Sequence, residues 1–256
     1  MDCTFCLDCV HACPHDNIGL LPAMPGRELL RDPQRSGIGR FSGRIDLVAL
    51  VVVLVFGAFV NAALMTGPVV EYRDRVAAAF GWSRLGATSV VCAVALVVAP
   101  SLLVTVVAGL SHAWGRLTQR LATTAARSCY CLVPLGFAMW LTHYSFHFLT
   151  SYTTILPTTQ RFVAEHGLSL GTPAWSYACC LPAAAWLLRL EIVFLDIGML
   201  GSLYVAFRIA QSQTNRLPRA LAAFAPWALL IVFLFLIGVW IVFQPMEMRG
   251  AMPMPG

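Results

Sequence analysis

Five apolar runs dominate the chain, near 46–66, 86–110, 128–150, 188–210 and 222–243. Each is close to the ~20 residues that a helix needs to cross a hydrocarbon core. Inside a bilayer no water is available to satisfy backbone N–H and C=O groups, so a run of this kind has to close its own hydrogen bonds as a helix. The sequence therefore predicts an all-α fold, a polytopic membrane helix bundle of about five spans. Composition agrees, with 59% hydrophobic and 11% charged residues, where a soluble domain carries about 25% charged. Pro100, Pro134 and Pro226 fall inside three of the runs and predict kinks, which membrane helices tolerate. A shorter apolar stretch, 174–188, contains Pro182. It reads as an interfacial or re-entrant lead into the fourth span, or as the start of one long tilted helix.

The charges suggest an orientation. All 17 basic residues are arginine. With the N-terminus inside, Arg27, Arg31, Arg35, Arg40, Arg44, Arg116, Arg120, Arg127, Arg208, Arg216 and Arg219 lie on cytoplasmic segments. Arg73, Arg75, Arg84, Arg161 and Arg249 lie on outer ones, and Arg189 sits near a boundary. Eleven against five follows the positive-inside rule, so a cytoplasmic N-terminus and an outer C-terminus are expected, with a bacterial inner membrane as the setting. The net charge of +5 is then juxtamembrane charge and makes no case for nucleic acid.

Residues 1–20 open on Cys3-Thr-Phe-Cys6-Leu-Asp-Cys9-Val-His-Ala-Cys13-Pro14. The spacing C-x2-C-x2-C-x3-C-P is the one by which a tight loop presents thiolates to the corners of a [4Fe–4S] cluster. Zinc sites favour two separated pairs, and disulfides are rare in the cytoplasm. Cys3, Cys6, Cys9 and Cys13 are thus the expected cluster ligands. Either all four wrap one cluster, or Cys13 serves a second cluster whose other ligands come from a partner or from sequence upstream of this chain. Residues 21–45, rich in Gly, Pro and Arg, form a juxtamembrane connector before the transmembrane domain at 46–243.

The motif joined to several spans resembles the membrane-bound polyferredoxins of the NapH and NosR type. Cys13-Pro14-His15-Asp16-Asn17 and the Arg- and Gly-rich segment after it look most like the FesM-type iron–sulfur membrane proteins. Those families carry two such motifs, and this sequence shows one. The resemblance implies an electron-transfer subunit working with a partner redox subunit or a soluble carrier, and an N-terminally truncated chain.

Polar residues inside the spans are the second candidate site. His143 and His147 stand one turn apart on the third span, and Glu191 and Asp196 lie on the fourth, beside Arg189. Ionisable residues at membrane depth are costly and point to function. A proton-accepting quinol site and a metal site are both open. So is plain hydrogen bonding of His to Glu or Asp between helices, with Arg189 neutralising a carboxylate. Haem is disfavoured, because two histidines on one helix face cannot take opposite sides of one iron. Beyond the spans, residues 244–256 hold Met246, Met248, Met252 and Met254. These are soft thioether ligands for Cu(I), or simply an irregular tail. The leading expectation couples a cytoplasmic cluster to the quinone pool or to a partner oxidoreductase. A non-catalytic membrane anchor and an outer-face copper-handling protein are the alternatives.

Overall fold

The computed structural model describes residues 8–15, 27–30, 40–168, 170–173, 175 and 185–245. Helix makes up 86% of them and none lies in a strand, so the chain is an all-α polytopic membrane helix bundle. The helices are α1 (Asp8–Ala12), α2 (Arg27–Leu30), α3 (Ile45–Ala63), α4 (Gly67–Phe80), α5 (Arg84–Gly115), α6 (Leu121–Cys129), α7 (Val133–Ser151), α8 (Ile155–Glu165), α9 (Ala185–Gln213) and α10 (Leu217–Val242). Among them α3, α5, α9 and α10 are long and apolar enough to cross a membrane. The lead-in stretch expected at 174–188 lies largely outside the described residues, which resume at Ala185.

The third expected span differs from the other four. It begins with α6, passes through a tight 3-10 turn at Tyr130–Leu132, and continues as α7. At 19 residues α7 matches α3 in length. It is not among the four helices apolar enough to span, and Thr142, His143, Tyr144, Ser145 and His147 account for its polarity. Pro134 sits in its first turn and not at a kink, because a first-turn N–H has no intrahelical partner to lose. Pro100 does act within a helix. Its ring donates no hydrogen bond and crowds the carbonyl four residues back, and a wide π turn at Val94–Val98 absorbs both effects.

Two compact units divide the chain. Unit 1 comprises Met1–Val53, Ser101–Cys131 and Leu203–Leu230; unit 2 comprises Leu54–Pro100, Leu132–Ser202 and Ile231–Gly256. The chain passes between them after Val53, Pro100, Cys131, Ser202 and Leu230, once inside each of the five expected spans. Unit 1 holds eleven arginines against six acidic residues, and unit 2 holds six of each. The net positive charge of the chain is therefore the charge of unit 1.

Lipid tails are as apolar as leucine, so membrane helices associate through close packing and polar contacts. In unit 1, Gly115 of α5 lies so near α10 that an added Cβ would stand 2.6 Å from the Ala223 side chain. Ser111 Oγ donates to the Ala223 carbonyl at 2.7 Å, three residues before Pro226. Leu117, Ala210 and Ala223 form the small core there, with Phe224 against it. In unit 2, Gly136 of α7 meets Val55 of α3, and Gly238 of α10 meets Phe59, Leu195 and Met139.

Candidate functional site

The N-terminal motif is only partly within the described residues. Cys3 and Cys6 lie outside them. Cys9 is the second residue of α1, and Cys13 follows that helix by one position, so the two stand four residues, about one turn, apart. Pro14 disfavours helical geometry at the residue before it, which is why α1 stops short of Cys13. Cys13 is half-buried, while His11 and His15 are exposed, as solvated loop histidines are. The Met-rich tail from Met246 onward lies outside the described residues.

The membrane candidates belong to unit 2, where α7 and α9 pack antiparallel. Leu135, in the first turn of α7, donates its N–H to Ser202 Oγ at 3.0 Å. Gly198 faces Ala138 and Pro134, close enough that an added Cβ would overlap the Ala138 side chain. Further along the same seam, Thr142 Oγ1 donates to the Glu191 carbonyl at 3.3 Å. Glu191, Leu195, Gly198 and Ser202 thus form the buried stripe of α9.

This seam fixes which of the four candidate residues come together. His143 is 3% exposed and Glu191 5%, and the Thr142 bond joins their neighbourhoods. His147 packs edge-on against His143, with ring centroids 4.6 Å apart. Asp196 is half-buried and lies beside the stripe, one residue past the buried Leu195. Neither ring nitrogen of His143 has a hydrogen-bond partner, nor has Nε2 of His147. The simple expectation of a His-to-carboxylate hydrogen bond between helices is therefore not met. Arg189 is exposed and makes none of the ion pairs found among the described residues, so it does not neutralise Glu191 or Asp196 there.

No three His, Cys, Asp or Glu side chains among the described residues are grouped to hold a metal. Rings in mutual contact on one helix face also cannot bracket a haem iron. Two further described histidines are engaged elsewhere. His112 Nδ1 lies 3.5 Å from Thr124 Oγ1 in unit 1, and His166 Nδ1 donates to the Phe162 carbonyl at 2.8 Å in unit 2.

One polar feature was not singled out from sequence. A cavity of about 460 Å³ in unit 1 is lined chiefly by Arg40, Gln119, Thr123, Arg127, Ser212 and Gln213. Arg127 counts as an ordinary loop charge in a topology tally, yet it is 4% exposed. The signal was present as Thr123 and Arg127 at four-residue spacing, on one face of α6, with the polar Gln119 just before that helix. Nearby, Arg44 holds Asp46 through contacts of 2.9 and 2.5 Å, and that hydrogen bonding raises the arginine's pKa above its ordinary value.

No protein-family model, curated protein or solved structure matches this chain.

Proposed function

We propose that the chain is a membrane-integral electron-transfer protein of the polyferredoxin kind. In this reading Cys3, Cys6, Cys9 and Cys13 hold a [4Fe–4S] cluster on the cytoplasmic side, and the α7–α9 seam handles the protons of a quinol. The observation that carries it is the C-x2-C-x2-C-x3-C-P run on a chain with membrane-spanning helices. The donor set fits: four thiolates at ferredoxin spacing, with Cys9 and Cys13 one turn apart at a short helix that Pro14 brings to an end. When bound, such a cluster supplies one-electron exchange. The protein's own part is to present the thiolates and to keep the site on one face of the membrane. The concentration of arginine in unit 1, which contains the motif, supports the cytoplasmic side.

Oxidising a quinol to quinone releases two protons and two electrons. A one-electron cluster takes the electrons singly, so each quinol reduces two clusters or passes its second electron to a partner redox carrier. The site needs proton acceptors at membrane depth. His143 and His147 offer buried ring nitrogens without partners, and Glu191 adds a buried carboxyl on the facing helix. Asp196, beside the buried stripe, is left out of this set. The test is full-length protein in anaerobic proteoliposomes, followed by its visible iron–sulfur absorbance as menaquinol is added. Bleaching is expected in the wild type and is lost in His143→Ala, which keeps its absorbance. A cluster that quinol does not reduce would leave the chain as an anchor for another oxidoreductase.

A further inference from the structure

We propose that the polar cavity of unit 1 binds a phosphate-bearing anion through Arg127 and Arg40. In an amphipathic helix on a soluble surface the polar face meets water; α6 does the opposite. Its Leu121 is 44% exposed, while Thr124, Arg127 and Ser128 are turned inward. Thr124 is fully buried and accepts from Gln119 Nε2 at 3.2 Å. Gln213 Nε2 reaches Ser128 Oγ at 3.5 Å. The first contact ties the segment before α6 to that helix, and the second ties the end of α9 to it, beside the cavity.

A buried guanidinium is tolerated only where its charge and N–H groups are engaged. It carries five donors in a planar fork, enough to keep a protein partner and still present N–H groups to a ligand, and the fork matches phosphate geometry. Arg40, just before the 3-10 turn at Phe41–Gly43, adds a second guanidinium from an exposed position. Thr123 stands in the first turn of α6, where unpaired backbone N–H groups and the helix dipole also favour an anion. At the opposing end of α9, Ser212 Oγ donates to the Ile209 carbonyl at 2.7 Å and so masks part of the negative helix end. No carboxylate is among the described residues that line it. The acidic side chains described in unit 1 are Asp8, which is exposed, and Asp46, which is paired with Arg44.

The volume of about 460 Å³ falls within the ~300–1,000 Å³ typical of small-molecule sites and exceeds what inorganic phosphate alone would fill. The ligand is therefore a phosphate ester on a larger body, either the headgroup and glycerol of an anionic phospholipid or a soluble phosphate ester. The first is concentrated wherever basic residues border a membrane.

Full-length protein in nanodiscs tests this, with phosphatidylglycerol and glycerol phosphate as probes. Bound phosphatidylglycerol is counted by native mass spectrometry after delipidation, and glycerol phosphate binding is followed by calorimetry in phosphatidylcholine discs. Saturable binding of one molecule per chain is expected. Arg40→Gln, at an exposed position that does not threaten folding, should weaken it about tenfold, and Arg127→Gln at least as much. Arg216→Gln, exposed and outside the cavity, should leave it unchanged. Lipid retained against excess glycerol phosphate supports the membrane source, and saturable glycerol phosphate binding in neutral discs supports the soluble one. The proposal is overturned if neither probe saturates, or if Arg216→Gln weakens binding as much as Arg40→Gln does.

Discussion

Gly198 shows how a single side chain sets the membrane seam. A Cβ there would overlap Ala138 and lie 3.1 Å from the Pro134 carbonyl oxygen and 3.2 Å from Leu135 Cα. Two of those neighbours are backbone, so a change of rotamer cannot relieve the contact. Gly198→Ala is expected to destabilise the folded protein by about 1–3 kcal/mol, seen as a lower Tm in detergent. Gly57→Ala is the matched control, since a Cβ at that position meets nothing within 4 Å. Equal Tm values for the two variants would mean that α7 and α9 do not pack as described. The same seam carries the buried, partnerless nitrogens of His143 and the close ring of His147. Their burial was legible from sequence, because ionisable residues inside an apolar run seldom face lipid. Their partners were not. Hydropathy says that a histidine is inside the membrane but not which neighbour it meets.

At the scale of elements, the long helices were the legible part, because a bilayer leaves an apolar run little choice but to be helical. All five expected runs contain helix, and each contains one passage between the two units. What hydropathy could not supply was local geometry. The α6–α7 junction turns at Tyr130–Leu132, inside what looked like one span, and the strain of Pro100 is taken up by a π turn upstream of it. Helices α4 and α8 went unanticipated, since their mixed composition carries no spanning signal. Both expose large apolar side chains, Tyr72 and Phe80 on α4 and Ile155, Leu156 and Phe162 on α8, beside the ion pairs Arg75–Glu71 and Arg161–Glu165. Apolar and charged side chains together suit helices at a membrane–water boundary. Inter-helix pairing was equally hidden, because Gly198, Ala138 and Ser202 are small residues that give no hint in sequence of which helix they will meet.

For the whole molecule, the arginine imbalance between the units makes sidedness a measurable claim. An epitope inserted after Asn215, in the turn between α9 and α10 in unit 1, should be reached by antibody only in inverted vesicles. One inserted after Gly167, past α8 in unit 2, should be reached only in right-side-out vesicles. Equal accessibility of both would contradict the proposed topology. The cluster is the claim on which the rest of the account depends, and it rests on four cysteines of which two lie outside the described residues. Its most direct test is iron and acid-labile sulfide content, with the EPR spectrum of the dithionite-reduced state, on full-length protein purified anaerobically from membranes. The account predicts iron and sulfide in equal amounts and a reduced-cluster signal, both lost in Cys6→Ala while the helical circular dichroism is kept. Zinc in place of iron, or iron retained in Cys6→Ala, would contradict it.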